Sequence, residues 1–355
     1  MLKPDGHLNL TVVKGEDMRR PNIAMLISSC FLLLFTGAVS AEKQKIISGI
    51  NEYGGKTVEI TREKGDKGFN DILKEIQFND SRGRVIKKET LHTKSFVNKR
   101  GTNRKIDYLD STGKTTKTEY FYPDKLAEEE GYNRQIDYYD TNGKMTREEL
   151  FYTPKFTAEK GFDRSMVYFD GNEKKIRGEM FCTDAFAGEY GYSRAVEYYD
   201  DSGNRTKKEF FYTDKAANEY GFNRAMAYHD SAGAGTKKEF FYTNKFANAE
   251  GLSRAINYYD RKEKLTKREA FYTDKAADDN GRNREIDYYD GNGKTEKVEI
   301  FQTPVFALNN GFNRLAIYYY AGAPARVEYY MDGKLVRHSL VSGKKSTPPR
   351  SSRAR

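Results

Sequence analysis

A thirty-residue spacing governs most of the chain. Glycine recurs at this interval from Gly101 to Gly311, arginine follows each of these glycines by three positions, and tyrosine follows each arginine by four. Glutamate and phenylalanine keep the same interval, starting at Glu119 and Phe121. Eight glycines in one register identify a repeat protein, in which each unit buries its surface against its neighbours.

Each unit is predicted to contain a strand, a turn, a second strand and a short helix. Residues 134–140 are rich in β-formers, and the Asn-Gly pair at 142–143 favours a hairpin turn. Residues 145–152 are the returning strand, and a helix over 154–160 ends at the glycine that opens the next unit. The predicted fold is mainly β with short helices, an elongated, solenoid-like array of 30-residue strand–turn–strand–helix repeats.

The repeats also set the expected domain boundaries. Residues 1–41 precede them as a signal peptide, and residues 42–100 carry degenerate N-terminal repeats. Residues 101–341 hold the regular hairpin repeats and end in a C-terminal capping hairpin. Residues 342–355, rich in Ser, Pro and basic residues, are expected to form a disordered basic tail.

The amino-terminal segment has the layout of a secretory signal peptide. A positive region at Met18-Arg19-Arg20 precedes an apolar run of 13 residues, 23–35, and Val39-Ser40-Ala41 gives a small-residue cleavage site. The run is short of the roughly 20 residues that span a bilayer. We expect cleavage after Ala41, with Met18 a candidate for the natural start. The mature protein would be exported (periplasmic, cell-surface or secreted) without a transmembrane anchor.

The net charge of +9 comes largely from the end of the chain. Five positive charges fall in the tail after residue 342, while the repeats interleave both signs. A nucleic-acid binder more typically concentrates basic charge on one face. The sequence therefore predicts no nucleic-acid partner.

The two-residue period of a strand assigns side chains to faces. A turn at 142–143 places Arg134 opposite Phe151 and Ile136 opposite Glu149. One face then carries the columns that recur in nearly every unit, and we interpret it as scaffold. The other face carries positions that vary between units, and it is the candidate partner surface.

Neighbouring aromatic columns fall on opposite faces. The Tyr138 column recurs and is expected to pack between units, whereas the next position lies among the varied residues. Two interpretations of that second column stay open: its rings cover the sheet under the helices, or they form a stacking row for a protein or glycan. The candidate binding residues are Tyr139, Phe169, Tyr199, Tyr259, Tyr289 and Tyr319.

Catalytic chemistry is not indicated. The sequence after residue 41 contains Cys182 and three histidines, His92, His229 and His338, and no recognisable nucleophile–base–orienter set. Arg134 and Glu149 would be diagonal neighbours on adjacent strands and are interpreted as a structural ladder that recurs along the array. We therefore predict no enzyme activity, no catalytic residues and no cofactor.

One segment is similar to a calcium-binding loop. Asp290, Asn292, Gly293 and Glu299 match positions 3, 5, 6 and 12 of an EF-hand, but Tyr288 stands at position 1 and both flanks are predicted strands. A hairpin turn explains the same residues, and no metal site is predicted.

Two segments resemble the hairpin of bacterial MORN-variant repeats. They are Tyr138-Tyr139-Asp140-Thr141-Asn142-Gly143-Lys144 and Glu328-Tyr329-Tyr330-Met331-Asp332-Gly333-Lys334-Leu335. The resemblance implies extended antiparallel sheets, and the family includes antitoxin-like proteins and envelope proteins of unknown role. It covers only the hairpin half of each unit. This chain differs in its longer period, its inserted helix and its lack of Trp.

These observations predict an exported, non-catalytic repeat protein that acts as a binding scaffold at the cell envelope. Protein partners are favoured over glycans. The alternative is a structural or adhesive surface component, and an envelope hydrolase is the third candidate. The sequence indicates neither the partner's identity nor an oligomeric state.

Overall fold

The computed structural model describes residues 43–61 and 71–341. The chain divides into two units, Met1–Ala41 and Glu42–Arg355, and all described residues belong to the second. The predicted signal peptide, 1–41, and the predicted basic tail, 342–355, lie outside the described residues.

Antiparallel strands make up most of the described chain. Each strand pairs with the strand before it and the strand after it, so one 21-stranded sheet follows chain order across the described ranges. The strands are β1 (Lys43–Ser48), β2 (Gly54–Thr61), β3 (Ile72–Asp80), β4 (Val85–His92), β5 (Arg104–Leu109), β6 (Thr115–Phe121), β7 (Tyr132–Tyr139), β8 (Met145–Tyr152), β9 (Phe162–Phe169), β10 (Lys175–Cys182), β11 (Tyr192–Tyr199), β12 (Arg205–Tyr212), β13 (Phe222–His229), β14 (Gly235–Tyr242), β15 (Leu252–Tyr259), β16 (Leu265–Tyr272), β17 (Arg282–Tyr289), β18 (Thr295–Gln302), β19 (Arg314–Tyr320), β20 (Ala323–Met331) and β21 (Lys334–Leu340).

A helix of seven residues follows every second strand from β4 to β18. The helices are α1 (Lys94–Arg100), α2 (Asp124–Glu130), α3 (Pro154–Lys160), α4 (Asp184–Tyr190), α5 (Asp214–Tyr220), α6 (Asn244–Glu250), α7 (Asp274–Asn280) and α8 (Pro304–Asn310). None of the helices in the described ranges is long and apolar enough to cross a membrane. The predicted mainly β array of strand–turn–strand–helix repeats is confirmed.

The turns hold the register of each hairpin. Asp140 Oδ1 accepts hydrogen bonds from the backbone N–H groups of Asn142 and Lys144 at 2.8 and 2.9 Å, and Gly143 takes a positive φ of 83°. The same turn follows β17, where Asp290 accepts from Asn292 and Lys294. The calcium-like segment is therefore a hairpin turn, as expected.

The caps of the helices connect consecutive units. Thr153 Oγ1 accepts a hydrogen bond from Phe156 N–H at 3.3 Å, and Gly161 ends α3 at a φ of 80°. Thr153 N–H in turn donates to the carbonyl of Gly131, which ends the preceding helix, at 2.9 Å. A Cβ on Gly131 would lie 2.5 Å from the Phe156 ring. Each helix thus packs directly on the end of the one before it.

The helices cover only one end of one sheet face. Tyr152 stacks on Phe156 of α3 with ring centroids 4.5 Å apart and meets Phe162 edge-on at 5.1 Å. Ala127 of α2 is 2% exposed. We call this side, which also bears Gln135, the helix face.

The opposite side of the sheet carries the recurring residues, and we call it the uniform face. Its register is the predicted one, because Arg134 pairs with Phe151 and Ile136 pairs with Glu149. No helix among the described residues lies on it. The sheet is therefore a single layer over most of its area. On this face each side chain packs against the side chains of the two adjacent strands.

Candidate binding surfaces

The predicted aromatic residues form a column on the helix face, at the hairpin-turn ends of the strands. All six side chains are half-buried. Tyr139 shares its face with Asp137, whose carboxylate accepts a hydrogen bond from the Tyr139 hydroxyl at 3.3 Å. We call the six residues the turn-side column: Tyr139, Phe169, Tyr199, Tyr259, Tyr289 and Tyr319.

The rings beneath the helices are a different set. Tyr152, Phe156 and Phe162 contact one another next to α3, and Tyr132 starts its strand at the same end. Tyr139 lies seven residues farther along β7, about 20 Å toward the turn. The column therefore lies on the turn side of this second aromatic cluster, and its role as a binding surface stays a prediction.

The chemistry around the column changes from unit to unit. Tyr199 donates to Glu197 at 2.6 Å and accepts from Lys175 Nζ at 2.9 Å, whereas Tyr259 accepts from the Asn257 amide at 3.3 Å. Burial raises the pKa of Asp137 and of Asp287 above the usual aspartate value. The column thus combines a repeated ring with polar neighbours that do not repeat.

The uniform face is built of three rows that run across the strands. The first alternates arginine with phenylalanine, the second alternates an apolar residue with glutamate, and the third alternates tyrosine with lysine or arginine. We call them the Arg/Phe row, the Glu row and the Tyr row. Successive strands supply each row alternately, because every hairpin has the same register.

Cation–π contacts connect the Arg/Phe row. The Arg134 guanidinium lies 5.5 Å from the centre of the Phe121 ring and 4.9 Å from that of Phe151. Arg254 is likewise placed between Phe241 and Phe271, at 5.7 and 5.0 Å. A groove of ≈ 990 Å³ runs along part of this row. It is lined by Arg134, Phe151, Arg164, Phe181, Arg194 and Phe211 among others.

The glutamates of the second row are buried between cations. From Glu119 to Glu299 they are 2% to 7% exposed. Glu119 accepts from Arg134 Nη2 at 2.6 Å and from Lys117 Nζ at 2.9 Å. Burial raises the pKa of Glu119, but these hydrogen bonds, from Lys117 first, outweigh burial and hold it below the usual value.

The arginine partner differs from the predicted one. Arg134 pairs with Glu119 of the preceding hairpin, and Glu149 pairs with Arg164 of the next at 3.3 Å. The Arg–Glu ion pairs therefore connect neighbouring hairpins and do not lie within one hairpin. Tyr138 provides the contact within the hairpin, donating to Glu149 at 3.4 Å.

The Tyr row is half-buried, like the turn-side column. Lys117 Nζ lies 3.7 Å from the centre of the Tyr108 ring, and the Arg147 guanidinium lies 3.7 Å from that of Tyr138. Exposure alone therefore does not separate scaffold from binding surface. The cations of this row were not recognised from the sequence, although they keep the thirty-residue interval: Lys117, Arg147, Arg177, Lys207, Lys237, Lys267 and Lys297.

The chemically reactive side chains do not form a site in the described part of the chain. Cys182 is a free thiol, and burial raises its pKa to about 11, which is the reverse of what a nucleophilic cysteine needs. Within residues 43–61 and 71–341, no group of three or more His, Cys, Asp and Glu side chains could hold a metal ion.

Comparisons with known proteins show no family for this chain. No protein-family model matches it, and no curated protein matches it. Among solved structures, it is similar to a porin-like protein from Bacteroides uniformis, at 8% sequence identity over 76% of this chain and 87% of that chain. The TM-score of 0.19 is too low for this similarity to support an argument about fold or function.

Proposed function

We propose that this protein is an exported, non-catalytic binding scaffold at the cell envelope, and that it holds a protein partner on the turn-side column. One observation carries the proposal. The column repeats half-buried aromatic rings beside polar groups that change from unit to unit, as at Tyr199 and Tyr259. Aromatic rings supply contact area at low entropic cost, and the changing groups supply selectivity.

A protein fits this surface better than a glycan does. A linear glycan presents the same groups at every repeat, so a surface selected for it would itself repeat. Around the column, a lysine bonds to Tyr199, an asparagine to Tyr259 and an aspartate to Tyr139. Only a partner with an irregular surface can complement these groups one by one.

Two further observations support the export and the lack of catalysis. The layout of residues 1–41 is that of a secretory signal peptide. The raised pKa of Cys182 leaves the only described cysteine as a thiol, and the Arg–Glu pairs serve as ladder contacts along the whole array.

One observation favours the alternative role as a structural or adhesive component. The last described strand, β21, pairs with β20 on one side only. Leu335, Val336 and Leu340 on it are 51%, 53% and 77% exposed. A free strand edge is a template for a strand of another chain. Sedimentation that depends on protein concentration would favour this role over binding of a single partner.

The proposal is tested by capture with two matched double variants. The bait is the protein recovered from the cells that make it, and its first residue is determined before use, since cleavage after Ala41 leaves Glu42. We expect Tyr199→Ala/Tyr259→Ala to fold and to lose retention of a co-purifying protein by about tenfold or more. Tyr198→Ala/Tyr258→Ala removes the same rings from the uniform face and should retain the partner.

The melting curves of both variants are compared with that of the parent protein. Equal retention by the parent and both folded variants would contradict the proposal. So would loss of the partner only when the uniform face is changed. A bait that still carries residues 1–41 would contradict the export part separately.

A further inference from the structure

We propose that the uniform face binds a linear acidic polysaccharide, laid across the strands along the Arg/Phe row. This site lies on the side of the sheet opposite the turn-side column and does not depend on the protein partner proposed above. Three properties of the face support this site: its charge, its spacing and the partly exposed guanidinium groups of its arginines.

The fold concentrates positive charge on this face. Each hairpin from β5–β6 to β19–β20 places two cations and one carboxylate in the three rows, as with Arg134, Arg147 and Glu149. The carboxylates lie deep in the Glu row, whereas the arginine side chains of the Arg/Phe row are 29% to 40% exposed. The exposed part of these hairpins is therefore cationic, with a surplus of one charge, except at β9–β10, where the exposed Asp163 cancels it.

The surplus charge repeats at a fixed distance. Neighbouring strands lie about 4.8 Å apart, so equivalent cations of successive hairpins are about 9.5 Å apart. A regular row of this kind complements a polymer that carries one anionic group per repeat. It is poorly matched to a protein, whose charges are irregular.

The arginines keep donors for such a ligand. Arg134 gives Nη2 to Glu119 and Arg284 gives Nη2 to Glu269, each at 2.6 Å, while the two arginine side chains stay 35% and 36% exposed. A guanidinium can donate to a second carboxylate or sulfate, and such charge-assisted hydrogen bonds are the stronger class. The groove along Arg134, Arg164 and Arg194 gives a chain room to lie against them, with Asp163 as a carboxylate on its lining.

A polysaccharide fits these features better than a nucleic acid does. A nucleic-acid strand in B-form carries a charge about every 3.4 Å, roughly three times as densely as this row. Single-stranded binding also relies on open ring faces for base stacking. In the Arg/Phe row, cations lie over ring faces, as with Arg164 over Phe181 at 4.1 Å and Arg194 over Phe211 at 4.0 Å.

The test is a binding titration with short and long hyaluronan oligosaccharides, which carry one carboxylate per disaccharide. A neutral chitin oligosaccharide of the same length is the control ligand. We expect the long oligosaccharide to bind about tenfold or more tighter than the short one, because it engages several hairpins at once. The neutral oligosaccharide should show no binding, and added salt should weaken the interaction.

Three variants locate the site. Arg134→Gln/Arg164→Gln/Arg194→Gln should lower the affinity for the long oligosaccharide about tenfold or more. Lys155→Gln/Lys215→Gln/Lys245→Gln removes the same charge from exposed helix positions on the other face and should stay within about twofold of the parent. Lys207→Gln/Lys237→Gln/Lys267→Gln changes the Tyr row while the Arg/Phe row stays intact. Its affinity for the long oligosaccharide therefore tests the uniform face even if the arginine variant unfolds.

Several results would overturn the inference. Equal losses in the helix variant and the uniform-face variants would show that only net charge matters. Single-stranded DNA or phosphatidylglycerol vesicles that compete as well as hyaluronan at equal charge would show a different class of ligand. Absence of binding to either oligosaccharide would remove the site altogether, and it would leave the protein-binding proposal for the turn-side column untouched.

Discussion

We expect Gly221→Ala to destabilise the protein by about 2–5 kcal/mol, a large effect for one added methyl group. Gly221 ends α5 at a φ of +81°, where a side chain costs about 1–2 kcal/mol. Its Cβ would also lie 2.4 Å from Phe246 Cδ2 of the next helix, and overpacking costs about 1–3 kcal/mol more. Chemical denaturation of the variant and the parent measures the difference.

Gly311→Ala is the matched control for this prediction. Gly311 ends α8 at a φ of +73°, but nothing lies within 4 Å of a Cβ built on it, so only the backbone cost of about 1–2 kcal/mol applies. Phe246→Ala should lower the free energy of unfolding less in the Gly221→Ala variant than in the parent, because removing the Phe246 ring relieves its clash with the new Cβ. Equal destabilisation by the two glycine variants, with no coupling to Phe246, would show that consecutive helices do not pack as described.

The second large effect is expected at the Glu row. Glu269 is 4% exposed and accepts from Lys267 Nζ at 2.7 Å and from Arg284 Nη2 at 2.6 Å. Glu269→Ala leaves these two cations together without their carboxylate. Breaking a buried pair costs about 3–5 kcal/mol, and the partial exposure of both cations lowers the expected loss to about 2 kcal/mol at neutral pH.

Acid should reduce this loss. Burial raises the pKa of Glu269, but the hydrogen bonds from Lys267 and Arg284 outweigh it and hold the pKa below the usual value. Such a carboxylate stabilises the folded protein fully when the pH is above its pKa in the unfolded chain, about 4.3. The stabilisation is lost as the pH falls through the lower pKa that the carboxylate has in the folded protein. The difference between parent and Glu269→Ala should therefore shrink below about pH 4.

Glu296→Ala supplies the control for the acid prediction. Glu296 is an exposed glutamate of β18, and its removal should change stability by no more than about 0.5 kcal/mol. A Glu269→Ala variant as stable as Glu296→Ala at neutral pH would contradict the role assigned to the Glu row.

Within a hairpin, the sequence was sufficient to predict the geometry. The Asn-Gly turn at 142–143 determines which residues of β7 and β8 face each other, so the pairing of Arg134 with Phe151 follows from counting. The helix over 154–160 and its glycine end also follow from local rules, because capping acts over a few neighbouring residues.

Contacts between hairpins were harder to predict. Glu119 and Glu149 are both within diagonal reach of Arg134 on a flat sheet, and only the packing of successive units decides that Arg134 bonds to Glu119. The cations of the Tyr row were hidden by the exchange of lysine for arginine at one position of the repeat, as at Lys117 and Arg147.

The order of charges along the sequence also gave no indication of which charges lie exposed on one face of the sheet. Acidic and basic residues alternate in the chain, which argued against a basic face. In the fold, the glutamates of the uniform face are buried, as at Glu209, while the arginines next to them, such as Arg194, keep more than a third of their side chains exposed. Recurrence usually indicates a buried core, but in a single-layer sheet it indicates side chains that stack on their equivalents in the next unit.

We propose that the two faces of one sheet have different partners. Tyr198 and Tyr199 are adjacent on β11 and point to opposite faces, as Tyr258 and Tyr259 do on β15. Replacing each of the four, one at a time, by a photoreactive phenylalanine and irradiating intact cells reports which face touches protein.

We predict one discrete protein adduct from positions 199 and 259 and none from positions 198 and 258. The same adduct from both members of each pair, or an adduct only from positions 198 and 258, would contradict the assignment of the protein partner to the helix face.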